Sequence, residues 1–238
     1  MPTPYGLEII ENCLTCKVRA DRMFCDLPAA TLAVFDAITY ANLHPRDAVL
    51  FVEGQETRGI YVVCSGRVKL STCGADGKTI ITDIAEPGEI LGLSAVVAGQ
   101  PHEVTAEMLE PGQTNFIKRE EFLRFLREHG EASLRVAEHL SRHYHTACVQ
   151  IRSLGLSHSA AEKLAKLLLE WSANGVETDQ GIRLKLTLTQ EEIAEMIGTS
   201  RETVTRLFAD FKKRQIVQLR GSTLLIRDKT ALENLVNP

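Results

Sequence analysis

Residues 187–214 read TLTQEEIAEMIGTSRETVTRLFADFKKR, and this stretch decides the fold of the C-terminal part of the chain. Thr189 and Glu192 have the spacing of a capping box, which predicts a helix that starts directly after Thr189. Gly198 is able to take a positive φ, and Ser200 follows it as the N-cap of a second helix. The sequence therefore predicts a helix-turn-helix, two helices that meet across a turn of about three to four residues.

The second predicted helix exposes side chains with the chemistry needed to read DNA bases. In a helix-turn-helix this helix lies in the major groove, where arginine forks onto guanine and glutamate accepts from cytosine. The residues predicted to contact bases are Arg201, Glu202, Thr205 and Arg206, and those predicted to contact the phosphate backbone are Thr189, Gln190, Ser200, Thr203 and Lys212. The alternative is a solvated helix with i,i+4 ion pairs, such as Glu202 with Arg206.

The charge distribution also favours a nucleic-acid partner for this region. The chain as a whole has a net charge of -4, yet residues 200–229 contain eight basic and three acidic residues. Immediately after the second helix, IVQLRGSTLLIRD holds two β-type runs around Gly221 and Ser222. These runs predict a β-hairpin that forms a wing beside the helix-turn-helix.

Short β-type runs fill the region from about Ala48 to Phe116, and glycines separate them. The runs are AVLFVEG, GIYVVCSGRVKLSTCG, KTIITDIAEPGEILG, HEVTAEMLEPG and QTNFIKR. Many short strands broken by glycine turns predict a small antiparallel barrel or jelly roll. An Ala-rich run, PAATLAVFDAITYA, precedes them and predicts a helix that begins at Pro28.

A long helix is predicted between the two regions. From Ser133 to Leu154, apolar residues recur at alternating spacings of three and four, which is typical of a coiled-coil seam. The residues predicted to form a dimer interface are Ala137, Leu140, Tyr144, Ala147, Ile151 and Leu154. The alternative is a helix that packs along its own β-domain.

Length and composition limit the class of protein. A chain of 238 residues favours two domains, and 44 % hydrophobic with 24 % charged residues excludes disorder as the main state. No window approaches the roughly 20 apolar residues of a membrane helix, and no signal peptide is recognisable, so we expect a cytoplasmic protein without a membrane partner. The sequence lacks the G-x-S-x-G, P-loop and H-E-x-x-H motifs, and we therefore do not expect an enzyme.

With the order of β-roll, long helix and TSRETVTRLFADF established, the chain resembles the Crp/Fnr family of bacterial transcription regulators. The resemblance runs from about Leu27 to the wing and is most specific in GIYVVCSGRVKL, PGEILG and the second helix of the helix-turn-helix. It implies an α+β fold with an N-terminal cyclic-nucleotide-binding-like β-roll, a long dimerisation helix and a C-terminal winged helix-turn-helix. The expected domains are a cap (1–30), a β-roll sensor (31–128), a dimerisation helix (129–156) and a DNA-binding domain (157–238).

The resemblance also implies partners. Members of the family act as homodimers on palindromic DNA, and the S-R-E-T-V-x-R pattern, which starts here at Ser200, is that of the branch that reads TGTGA-like half-sites. RNA polymerase is a further expected partner. A competing hypothesis is a ligand-binding or partner-binding module, with a zinc-bound or metal-free cap, whose helix-turn-helix contacts protein; the local positive charge argues against it.

The N-terminal cysteines are candidates for a sensor. Cys13, Cys16 and Cys25 have the spacing C-x2-C-x8-C, which is similar to the cluster that holds [4Fe-4S] in oxygen-sensing Fnr-type members. The last spacing is longer than the familiar C-x2-C-x5-C, and the family's fourth cysteine position falls near Thr114 and Asn115. Zinc, a thiol redox switch and a metal-free cap are the alternatives.

Other residues complete the set of candidate ligands. A carboxylate such as Asp21 or Asp26 could supply a fourth ligand, while Cys64 and Cys73 on β-roll strands and Cys148 near the seam are interpreted as buried side chains. His139 and His143 share a helical face, which permits chelation, although exposed polar residues beside a seam explain them equally.

Cyclic nucleotide is not an expected cofactor. The position of the family's ribose-binding glutamate falls on Leu93, and those of its phosphate-binding arginine and serine fall on His102 and Glu103. A neutral imidazole beside a carboxylate is a poor site for a phosphate anion.

Overall fold

The computed structural model describes residues 4–7, 9–10, 12–16, 23–155 and 159–236, with the backbone alone for residues 4 and 149–155. The chain divides into two compact units, Met1–Cys148 and Val149–Pro238. The expected boundary at 156/157 lies outside the described residues. Among the residues described, none of the helices combines the length and the apolar character needed to cross a lipid bilayer.

The first unit contains the β-roll that the glycine-separated runs predict. Its strands are β1 (Tyr40–His44), β2 (Val49–Phe51), β3 (Gly59–Ser65), β4 (Val68–Cys73), β5 (Thr79–Ala85), β6 (Ile90–Leu91), β7 (Thr105–Met108) and β8 (Gly112–Lys118). They form two antiparallel sheets, with the orders β1-β8-β3-β6 and β2-β7-β4-β5. In the first sheet, the N-terminal segment lies against β8.

Among the described residues, this unit contains three α-helices in addition to the start of the long helix. They are α1 (Ala29–Ala37), α2 (Leu93–Ala98) and α3 (Arg119–Glu128). Phe24 stacks on Phe35 of α1 with ring centroids 5.2 Å apart, and both rings meet Phe125 of α3. This aromatic cluster is almost fully buried, so it anchors the end of the N-terminal segment onto the β-roll.

The long helix α4 spans Gly130–Gly155 as one element. Its first turns pack on the β-roll domain, since Ala132 and Val136 are buried in the same core as the aromatic cluster. Beyond them, all side chains from 141 to 148 are exposed, and Tyr144 keeps 74 % of its surface accessible. The helix therefore packs on its own domain at the start and leaves its middle without a partner within the described part of the chain.

The second unit is a winged helix-turn-helix. Its elements are α5 (Ala160–Ser172), β9 (Val176–Thr178), β10 (Gly181–Lys185), α6 (Gln190–Ile197), α7 (Arg201–Lys213), β11 (Val217–Arg220), β12 (Thr223–Ile226) and α8 (Lys229–Val236). The sheet order is β11-β12-β10-β9, so the predicted wing hairpin pairs with a second hairpin that the sequence reading did not identify.

Candidate DNA-binding surface and sensor site

The capping box fixes the start of α6. The backbone N–H of Glu192 donates to Thr189 Oγ1 at 3.2 Å, and the backbone N–H of Thr189 donates to Glu192 Oε2 at 2.7 Å. At the other end Gly198 takes φ 64° and its N–H donates to the carbonyl of Ala194. The left-handed backbone at this glycine ends α6 and turns the chain into the next helix.

Helix α7 starts at the predicted N-cap. The Ser200 hydroxyl accepts from the backbone N–H of Thr203 at 3.3 Å. Val204, Phe208 and Phe211 are buried, and their shared face holds α7 against the rest of the unit. The opposite face of α7 is therefore exposed to solvent.

The four residues predicted to contact bases are all on this exposed face. Within the part of the chain that the structure describes, Glu202 and Arg206 do not form the i,i+4 ion pair that would neutralise both. Glu202 accepts from its own backbone N–H and from the Ser200 hydroxyl, and these bonds, with the charge of Arg201, lower the pKa of its carboxyl. The first turn of α7 therefore presents an ionised acceptor and arginine donors side by side.

Thr205 has a second role in the structure. Its hydroxyl contacts Oε1 of Gln190 and also lies 3.0 Å from the carbonyl oxygen of Arg201. The contact with Gln190 ties α7 to the first residue of α6, so it supports the angle between the two helices. The wing tip lies at Gly221 and Ser222, next to the exposed Arg220.

The predicted dimer seam shows different degrees of burial along α4. Ala137, Tyr144 and Ala147 are exposed, whereas Leu140 is half-buried against the β-roll core. The side chains of Ile151 and Leu154 lie outside the described residues. Cys148 is exposed in this chain rather than buried as expected, because it shares the unpartnered stretch of α4. Its thiol hydrogen-bonds with the Tyr144 hydroxyl and raises the pKa of that tyrosine.

The position expected for phosphate binding holds a packed aromatic pair. The His102 ring stacks on Phe51 with centroids 3.8 Å apart, and only 4 % of His102 is exposed. Burial lowers the pKa of His102, while the charge of Glu103 acts in the opposite direction. Leu93 is buried as well. A neutral, stacked imidazole does not offer a phosphate the forked donors that an arginine would.

The N-terminal segment is hydrogen-bonded to β8. The buried side chain of Gln113 accepts from the backbone N–H of Ile10 and donates to the Ile10 carbonyl, both at 2.8 Å. Gln113 also donates to Asn115 Oδ1 at 3.2 Å, and Asn115 Nδ2 in turn donates to Cys13 Sγ at 3.9 Å. Buried polar side chains of β8 thus hold the segment that carries the first two cysteines.

The three predicted cysteines lie in the same region of the domain as a fourth cysteine, Cys64. Cys13 interacts electrostatically with Cys64 and Cys25, and Cys64 interacts with Cys25 and Cys16. Among the described residues, no three His, Cys, Asp or Glu side chains are already arranged around a metal position. The expectation that Cys73 is buried is wrong, because this thiol is exposed at the end of β4.

The candidate carboxylates have other partners. Asp26 pairs with Arg135 at 3.4 Å, and Asp21 lies outside the described residues. Asp36 on α1 was not identified as a candidate, yet it accepts from the backbone N–H of Cys13 at 3.0 Å and hydrogen-bonds with the Cys13 thiol. Burial and this carboxylate raise the pKa of Cys13.

Comparison with known proteins identifies both domains. The family of cyclic nucleotide-binding domains matches residues 43–129, and the family of Crp-like helix-turn-helix domains matches residues 162–235. The chain is 28 % identical over 189 residues to the CRP-like cAMP-activated global transcriptional regulator of Mycobacterium tuberculosis, which covers 79 % of this chain and 84 % of that protein. It is 23 % identical over 197 residues to the anaerobic regulatory protein of Bacillus subtilis, and the alignment covers 82 % of this chain and 83 % of that protein.

A solved structure gives the same result for the fold. A variant of CooA from Carboxydothermus hydrogenoformans matches with a TM-score of 0.73 and 26 % identity, over 84 % of this chain and 88 % of the other. The expected fold class is confirmed, and the similar proteins are regulators rather than enzymes. Because both domain families match this chain, and regulators of this type align over about four fifths of the sequence, the chain belongs to the Crp/Fnr family of transcription regulators.

Proposed function

We propose that this regulator acts as a homodimer on a palindromic, TGTGA-like DNA site and responds to oxygen or redox state through a cysteine-ligated iron-sulfur cluster. The observation that carries the DNA-binding part is the exposed first turn of α7, with Arg201, Glu202 and Arg206 on one face. Arginine donors beside an ionised glutamate fit guanine and cytosine edges in the major groove.

Dimerisation is supported by the unpartnered stretch of α4. Tyr144 and Ala147 are exposed on the side of the helix where the apolar spacing predicts a seam. A second copy of α4 would cover these side chains and present two α7 helices to one palindrome. We further propose RNA polymerase as the protein partner of the DNA-bound dimer, as expected for a regulator of transcription.

The named relatives differ in the signal that their names give, since one is cAMP-activated and another is an anaerobic regulator, so the residues of this chain are what favour one signal. The stacked His102 disfavours a phosphate ligand. The thiols of the cap have the donor chemistry of iron-sulfur proteins, in which cysteine thiolates hold the iron. Cys13, Cys16 and Cys25 would hold the cluster, which supplies a redox-active and oxygen-sensitive group.

Residues of the β-roll position these thiols. Asp36 fixes the backbone at Cys13, and Gln113 fixes the chain three residues earlier through Ile10. Asp36 belongs to α1 and Gln113 to β8. A change in how the cysteines are held would therefore act directly on contacts between the cap and the sensor domain.

Duplex titration tests the proposal. Anaerobically purified protein is titrated with a TGTGA palindrome and with a scrambled duplex at two salt concentrations, before and after exposure to air. We expect tight, salt-dependent binding to the palindrome and a change in affinity on air exposure that follows the loss of iron. Equal binding to both duplexes would contradict sequence-specific regulation. If anaerobic protein contains no iron and still binds its site tightly, the proposal of an iron-sulfur cluster fails and the proposal of DNA binding stands.

A further inference from the structure

We propose that Cys64 supplies the fourth thiolate of the metal centre that also contains Cys13, Cys16 and Cys25. This inference rests on the proposed sensor function and deepens it. The family's usual fourth position falls near Thr114 and Asn115 on β8, whereas Cys64 lies on the neighbouring strand β3. The four-cysteine site would therefore be completed from a different strand of the same sheet.

The backbone gives Cys64 an exceptional position. Strands β3 and β8 pair in regular antiparallel register up to Val63 and Thr114, and the next pair is Ser65 with Gln113. Cys64 is thus the extra residue of a β-bulge. Bulges re-aim a side chain and are over-represented beside functional sites. Because of the bulge, Cys64 has no partner in the register of β3 with β8. The bulge lies opposite Gln113, the residue of β8 that hydrogen-bonds to Ile10 of the N-terminal segment.

Asn115 connects Cys64 with the cap. Its backbone N–H hydrogen-bonds to the Cys64 sulfur, and its side-chain Nδ2 donates to the Cys13 sulfur. One residue of β8 therefore donates to two of the four thiols, from its backbone to one and from its side chain to the other. Hydrogen bonds from N–H groups to cysteine sulfur are a regular feature of iron-sulfur sites and help to set their potential.

The other two thiols are close enough to interact with Cys64. Cys25 and Cys16 both act electrostatically on Cys64, and burial together with these neighbours raises its pKa to about 12. A coordinating thiol gives up its proton, so filling the site would release one proton from each cysteine that ligates.

The available carboxylates are less suited to the fourth position. Asp26 is ion-paired with Arg135, and Asp36 already accepts from the backbone of Cys13. Recruiting either one would break an existing contact. Among the described residues, the Cys64 sulfur is contacted by the Asn115 N–H and lies 3.7 Å from the carbonyl of Val62, and ligation would retain the first of these contacts.

Anaerobic reconstitution tests the assignment. Wild type, Cys64→Ser, Cys64→Ala and Cys16→Ser are incubated with ferrous iron and sulfide, and bound iron, bound sulfide and the visible spectrum are measured per protomer. The control is Cys73→Ser, which removes an exposed thiol from the neighbouring sheet. We expect both Cys64 variants to lose cluster to the same extent as Cys16→Ser and the control to match wild type. Wild-type iron, sulfide and spectrum in both Cys64 variants would overturn the inference.

Two further measurements make the outcomes distinct. Circular dichroism and thermal melting of the metal-free variants identify any loss of cluster that results from misfolding, and the Cys64 variants should show the wild-type spectrum and melting curve. Asp36→Asn tests the carboxylate that accepts from the backbone N–H of Cys13. If it abolishes the cluster while Cys64→Ser retains it, the fourth ligand is the carboxylate.

Cadmium separates this inference from the proposed sensor function. If wild type takes up no iron-sulfur cluster, the oxygen-sensing proposal fails, yet the thiol set can still be counted by the sulfur-to-cadmium absorption of a Cd²⁺ titration. Four thiolates in wild type and three in Cys64→Ser would lower this absorption by roughly a quarter, as expected for a Cys₄ site that loses one ligand. Equal absorption in the two proteins would show that Cys64 does not ligate.

Discussion

Replacing Arg206 with alanine is expected to weaken binding to the cognate palindrome and leave binding to random DNA nearly unchanged. Arg206 is exposed, and among the described residues it forms no ion pair with Glu202. The substitution should therefore change the free energy of unfolding by less than about 0.5 kcal/mol. The loss of a forked contact to guanine costs about 1 to 3 kcal/mol per half-site, which is roughly 5- to 150-fold in affinity. Fluorescence anisotropy with both duplexes measures the difference.

Lys212→Ala is the matched control, since it removes a positive charge from the exposed last turn of the same helix. A lost phosphate contact lowers the slope of log K against log salt by about 0.9 per protomer, or about 1.8 for a dimer. When the salt concentration rises fourfold, the affinity of Lys212→Ala should therefore fall about 12-fold less than that of the wild type, on cognate and random duplex alike. If Arg206→Ala weakens both duplexes equally, or if binding-site selection with it returns the parent preference, base reading by Arg206 is refuted.

Three further outcomes are expected. Tyr144→Glu places like charges at the proposed two-fold seam and should give monomers in sedimentation, whereas an intact dimer would contradict the seam. Thr189→Ala removes the N-cap of α6 and should lower the free energy of unfolding of the DNA-binding unit by about 1 kcal/mol in urea titrations, while Thr189→Ser should retain most of it. The pKa of His102 is lowered in the folded protein, so the unfolded chain binds more protons and the free energy of unfolding should fall as the pH drops below about 6.5. His102→Phe preserves the stack on Phe51 and should make the free energy of unfolding depend less on pH in this range. An unchanged pH dependence would contradict this role of His102.

The helix-turn-helix was predictable because its determinants are local. Thr189, Gly198 and Ser200 act on backbone groups within four residues of themselves, so their spacing alone determines where α6 and α7 start and stop. Helix α1 is shorter than the Ala-rich run predicts, since that run continues to Ala41. The helix ends at Ala37, and Tyr40 instead begins β1. Its partner strand β8 lies some seventy positions away, as in the pair Tyr40 with Phe116, and helix propensity carries no information on such a pairing.

The candidate sensor shows the same limit. The spacing of Cys13, Cys16 and Cys25 identifies the loop, but the proximity of Cys64 depends on the register of β3 with β8 and on a bulge between them. Both are long-range properties of the sheet, so the thiol was interpreted as an ordinary buried residue. Gln113 was missed for a related reason, since a polar side chain on a strand indicates a partner only when the segment that covers it is known.

The two hydrogen bonds between Gln113 and Ile10 set the free energy with which the segment around Ile10 detaches locally from the folded domain. The glutamine amide acts as a substitute for a neighbouring strand, accepting and donating as a peptide group would. Each such bond contributes about 1 kcal/mol net, so the backbone at Ile10 should detach from Gln113 in roughly one molecule in thirty while the aromatic cluster around Phe24 stays packed. A protease that needs an extended segment would therefore trim the chain before Cys13 without unfolding the β-roll. Gln113→Ala should accelerate this trimming, and a filled thiolate site should suppress it.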